Sequence, residues 1–285
     1  MHFLVEQIFR TTKKAVKNQK LYIPIPNEEI LNVPCEPVIK ILTKYFNIDE
    51  IFLFHSKESE VENMCKSVLY ILLISNKVSN QDLFEMMQIV SQQTEGRYEI
   101  VPIAHSRKWI QEHLTLYQPF FRKIMAPEKS IYTKHIPTTV HWHSETADLE
   151  VDDEIYYRLC TSLYENYKIF RAQENLSSNE GIGLLISGFF YRASSFLIYI
   201  SQQYLPNEIN IRILWKFCKY IHPKISGLDY LIDQLPFDFF ESINPSKNLY
   251  HNFQCFKEEN LKIMDELMKA FVNIIDEYYN NATNH

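Results

Sequence analysis

The chain has 285 residues, 46% hydrophobic and 22% charged, with a net charge of −6. That is a globular composition, and with only 5 glycines and 12 prolines it argues against a disordered or barrel-rich chain. The charge is uneven: residues 1–145 carry 17 basic against 16 acidic residues, and residues 146–285 carry 12 against 19. An acidic C-terminal half argues against a broad DNA-binding surface, because phosphate binding needs clustered cations.

The segment 4–17 has helical spacing and a cationic side, and no long apolar stretch of secretory type. Residues 37–46 (PVIKILTKYF) read as a helix and 51–54 as a short apolar strand. Residues 68–74 (VLYILLI) form a second strand, too apolar for an edge, so both its faces should be covered. A helix follows over 81–93, with Leu83, Met86, Met87 and Val90 inward. A strand is expected over 98–103, a helix over 107–117, and a turn with a last strand over 120–132. The polar stretch 136–149, part of TKHIPTTVHWHSETADLE, reads as a linker between a domain at 1–135 and one at 150–285.

Beyond the linker every element reads as helix: 150–175, 180–204, 208–221, 225–234 and 246–279, with Asn179 as an N-cap and Pro206, Pro223, Pro236 and Pro245 between helices. The fold class is therefore α+β: a small mixed-sheet domain followed by an all-α up-down helical bundle. The run 181–200 is the most membrane-like, but Arg192 and several serines interrupt it, so it is expected to be a buried helix and no membrane partner is expected. Five scattered cysteines without a CxxC pair point to free thiols in a reducing cytoplasm.

The stretch IFLFHSKESEVENMCKSVLYILLIS, residues 51–75, carries the most specific pattern. LFHS at 53–56 ends the first apolar strand, and eleven residues separate it from VLYILLIS at 68–75. This frame resembles the nucleotidyltransferase fold of DNA polymerase beta type. In that family a strand leads to Gly-Ser, two acids one residue apart stand on the next strand, and a third acid stands on a later strand. Two acids spaced in this way share one face of a strand and hold Mg²⁺ with the nucleotide. Here His55 replaces the glycine, and Val68 and Tyr70 stand at the paired-acid positions, with Glu99 at the third. The resemblance thus implies a domain that has lost its catalytic acids. Ser56, Lys57 and Glu99 would be its nucleotide-binding remnant. An unrelated sheet with a coincidental LFHS is the alternative. Glu58, Glu60 and Glu62 read as a solvated face on a helix or loop.

The helical half resembles a HEPN domain, the higher eukaryote and prokaryote nucleotide-binding helical domain. The likeness rests on YYRLCTSLYENYKIF at 156–170 and on the helical pair within 188–221. It implies prokaryotic regulation or defence, of toxin–antitoxin character. HEPN ribonucleases carry Arg, four to six residues, then His. In the helical half no histidine has that arginine, and KNLYH is the nearest echo, giving Lys247, Asn248 and His251 as ligand or RNA contacts. Arg107 and His113 have the spacing but lie in the first half.

VHWHSE places His141 and His143 on one side of an extended segment, where His135, Glu145 or Asp148 would complete a transition-metal site. Tyr156, Tyr157, Tyr164 and Tyr167 stack on adjacent turns, as a core or dimer seam or as a base-stacking platform. The expectation is a non-catalytic, cytoplasmic protein without a cofactor. It would dimerise through its C-terminal helices and bind a nucleotide, RNA or protein. The alternatives are a metal-dependent enzyme using His141 and His143, and a divergent active nucleotidyltransferase.

Overall fold

The computed structural model describes residues 33–61, 64–134, 139–144, 153–172, 180–207, 210–244 and 256–283. The helix expected over 4–17 and the cap at Asn179 lie outside these residues.

Helix α1 (Glu36–Tyr45) opens with Pro37, where the missing amide is unneeded, and buries Val38, Ile41 and Leu42 on one stripe. Strand β1 (Glu50–Val61) and strand β2 (Met64–Ile74) form an antiparallel hairpin. Helix α2 (Asn80–Gln93) starts with a capping box: Ser79 accepts from the Asp82 amide, and Asp82 accepts from the Ser79 amide at 2.6 Å. It ends in a turn in which Glu95 and Gly96 have φ of 56° and 77°. Strand β3 (Tyr98–His105) then pairs parallel to β2, and β4 (Ser130–Thr133) pairs antiparallel to β1, giving the order β3-β2-β1-β4. As expected for a covered strand, Leu69, Ile71, Leu72 and Leu73 of β2 are fully buried.

Three local expectations are corrected. The polar run after Ser56 is strand: β1 continues to Val61, carrying Glu58 and Glu60. Its period-two alternation is stabilised by backbone pairing with β2, a partner that a local window does not reveal. The helix expected over 107–117 is two, α3 (Arg107–Glu112) and α4 (Leu114–Ile124), which break at His113. Helix α4 also replaces the turn expected from 120. It retains Pro119 because Leu114, Tyr117, Phe120, Phe121 and Ile124 are all buried, outweighing one lost amide bond.

The C-terminal part is mainly helical. It contains α5 (Asp153–Arg171), α6 (Glu180–Gln202), α7 (Ile211–Ile221), three single turns α8 (Pro223–Ser226), α9 (Asp229–Ile232) and α10 (Phe239–Ser242), and α11 (Glu258–Thr283). The single helix expected over 225–234 is thus split into α8 and α9. Asn210 caps α7 by accepting from the Arg212 amide at 3.0 Å. Helix α6 contains a stretch, Gly181–Gln202, long and apolar enough to cross a bilayer, but Phe189, Phe190, Phe196 and Leu197 are buried inside the protein. One apolar core runs from the sheet into the helices.

Candidate functional site

Strand register decides which candidate side chains meet. Residues directly opposite one another in a ladder project from the same face of the sheet. Lys57 is opposite Val68, and Val68 is opposite Glu99; His55 is opposite Tyr70, and Tyr70 is opposite Val101. The two positions of the missing acids and the remaining Glu99 therefore share one face. Lys57 joins them and is exposed.

Ser56 does not. It is opposite Leu69, on the reverse face, where it is buried and its Oγ has no hydrogen-bond partner. The cause is a bulge between Leu53 and His55, which inserts Phe54 as an unpaired residue and inverts the alternation after it. The sheet itself separates Ser56 from Glu99.

Helix α7 lies across the Glu99 face. Phe54 meets the rings of Phe217 and Tyr220 at 6.0 and 5.8 Å, and His55 and Tyr70 lie 4.6 and 5.0 Å from Tyr220. The Tyr70 hydroxyl donates to the Lys216 carbonyl at 3.3 Å. Glu99 is held between two ammonium groups: Lys66 lies 2.9 Å from its Oε2, and Lys216 contacts its Oε1. Burial pulls the Lys216 ammonium down to about 7. The Glu99 carboxylate in contact with it opposes that shift. Two cations already neutralise Glu99.

Known protein families, curated proteins and solved structures give no match to this chain. The chemistry of the site therefore rests on its own residues.

His141 and His143 lie on a segment without regular secondary structure, and both residues are exposed. Its backbone is held by two glutamines acting as surrogate peptide groups. Gln111 of α3 accepts from the His141 amide at 2.8 Å and donates to its carbonyl at 3.1 Å. Gln118 of α4 does the same for His143 at 2.7 and 3.2 Å. The acids proposed to complete a metal site, Glu145 and Asp148, and His135 lie outside the described residues. Among the described residues no group of three metal-ligating side chains assembles.

Lys247, Asn248 and His251 also lie outside the described residues. Arg107 and His113 are given separate structural tasks: Arg107 contacts the buried Glu50 carboxylate, and His113 stacks on Trp109 at 4.0 Å. The tyrosines of α5 turn inward. Tyr157 stacks on Tyr279 of α11 at 4.0 Å, and Tyr167 donates to Asp265 at 2.6 Å; burial and that bond push the Tyr167 hydroxyl up. A groove of about 400 Å³ beside them is lined by Tyr164, Lys168, Arg171 and Lys269, but Arg171 is committed to Glu258 and Asp265 and Lys168 to Glu165.

Sequence reasoning missed Lys216, and it missed His105, whose Nε2 lies 2.6 Å from the Tyr204 hydroxyl. The available signal was RILWKFCKYI itself. Its apolar residues form one wide face, and Arg212, Lys216 and Lys219 share the opposite side, which sets a row of cations along the helix.

Proposed function

We propose that the chain is a non-catalytic binding or regulatory protein of nucleotidyltransferase–HEPN type, acting in the cytoplasm on a nucleotide, RNA or protein partner. A two-metal site needs several oxygen ligands on one face. The face that would carry it has Val68 and Tyr70 at two of the three acid positions, and Lys216 and Lys66 on the third, Glu99. That arrangement is the observation supporting this reading: an ammonium from α7 takes the electrostatic place of a divalent cation, and the aromatic rings of Phe54, Tyr70 and Tyr220 close the space beside it.

The test is incubation with labelled nucleoside triphosphates and Mg²⁺ or Mn²⁺. The expected result is no transfer of label to protein, RNA or a second nucleotide. Metal-dependent transfer abolished by Glu99→Gln would overturn the reading and favour a divergent active enzyme.

A further inference from the structure

Residues 140–143 (VHWH) are held on α3 and α4 by their main chain. Four hydrogen bonds reach the segment from Gln111 and Gln118, and all four end on backbone groups of residues 141 and 143. Each glutamine accepts the amide N–H of one residue and donates to the carbonyl of that same residue. Residues paired across an antiparallel ladder exchange the same two bonds. The two side-chain amides therefore act as docking points for a strand, aimed at every second residue of the segment.

The side chains follow the same repeat of two. Val140 and Trp142 are half-buried against the apolar core, whereas His141 and His143 are exposed. The imidazoles are not what the site holds. It takes a main chain at two alternate residues, and beside it an aliphatic and an aromatic side chain. Main-chain bonds for grip and alternate side chains for choice are the elements of strand-addition recognition.

Gln118 makes this a built site. It is 1% exposed, and both ends of its amide are used on residue 143. A buried amide left without partners is costly, so α4 requires a peptide group at this point. Neither bond touches a side chain, so that requirement does not fix residue 143 as the source. What favours residues 140–143 is connection: a segment of the same chain acts at an effective concentration on the order of a millimolar. A partner's peptide is at a disadvantage only until the resident segment is weakened.

We propose that the α3–α4 face is a docking site for a peptide in strand conformation, with an aliphatic and an aromatic residue two positions apart. Residues 140–143 occupy it in cis, as a resident ligand that a protein partner displaces. The site uses neither the Glu99 face nor nucleotide chemistry, so its failure and that of the function proposed above are read separately.

The test is fluorescence anisotropy of a fluorescein-labelled peptide of residues 138–145, titrated with the full chain. Trp142→Ala weakens the resident segment, and that variant should bind the peptide with a dissociation constant below about 200 micromolar. The wild type should bind it at least about tenfold more weakly. Adding Gln118→Ala to Trp142→Ala should weaken binding at least about tenfold. In the peptide, His143→Pro removes the amide that donates to Gln118 and should abolish binding, whereas His143→Ala keeps that amide and should bind as the parent does. His143→Pro in the chain vacates the site by a second route that leaves Trp142 in place, and it too should admit the peptide. Absence of saturable binding by both vacated variants overturns the proposal. So does binding that is equally tight to the wild type, or indifferent to Gln118→Ala or to the proline peptide. Loss of the folded circular dichroism spectrum in both vacated variants overturns it as well, because the segment would then be core and not ligand.

Discussion

The ammonium of Lys216, on a helix of the C-terminal part, contacts the carboxylate of Glu99, on a strand of the N-terminal sheet. One ion pair thus neutralises Glu99 and fastens the helices to the sheet. Removing one partner of a largely buried pair strands the other charge. Glu99→Ala is expected to destabilise the protein by about 2–4 kcal/mol, whereas the double variant Glu99→Gln with Lys216→Met should recover most of that loss. Denaturant titration of the two single variants and the double variant measures the coupling.

His105 gives stability a dependence on acid. Burial, with a smaller contribution from His113, holds its imidazole down to about 3, against an ordinary value near 6.5. Between these values the unfolded chain binds a proton that the folded one does not. Stability from this residue is therefore complete above pH 6.5 and falls as the pH drops through the window. Lowering the pH from 7 to 5 should cost about 2 kcal/mol through this residue alone. Comparing the wild type with His105→Asn at both pH values isolates it, because other groups titrate in both proteins. A pH dependence identical in the two would show that the buried imidazole is not responsible.

Arg107 is expected to be structural, despite its spacing from His113. Glu50 is 2% exposed and one of its oxygens, Oε1, has no hydrogen-bond partner, so Arg107 carries the neutralisation of that carboxylate. Arg107→Met should cost about 3–5 kcal/mol, and Arg107→Met with Glu50→Gln clearly less. His113→Ala should leave the Glu50 contact intact. Urea unfolding of these variants distinguishes the two roles.

The HxH segment offers a reversal of intuition. His141→Ala and His143→Ala, changing exposed rings, should alter stability by less than about 0.5 kcal/mol. Gln118→Ala removes two bonds to the His143 backbone and should cost about 1–2 kcal/mol. Protein purified without added zinc should contain no stoichiometric transition metal by elemental analysis. One bound metal per chain, lost together in the two histidine variants, would replace this account with a metal centre.

What the sequence by itself determined is what local periodicity and capping chemistry determine. VLYILLI has too few polar positions for an exposed face, and it is the strand buried on both sides. The spacing of Leu83, Met86, Met87 and Val90 marks α2, and the apolar steps of four and three along α5 and α11 are visible as written. The absence of paired acids at Val68 and Tyr70 is likewise a matter of side-chain identity, which no fold can alter.

Tertiary structure decided the rest, because the deciding partners are far apart in the chain. Lys216 reaches Glu99 only after a helix 117 positions later is laid on the sheet. The extension of β1 to Val61 exists because β2 supplies its hydrogen bonds. Most tellingly, strict alternation would set Ser56 on the same face as Glu99, and the bulge at Phe54 turns it away. A strand has a side-chain period of two, so one inserted residue exchanges its faces, and only the paired sheet records where that residue is inserted.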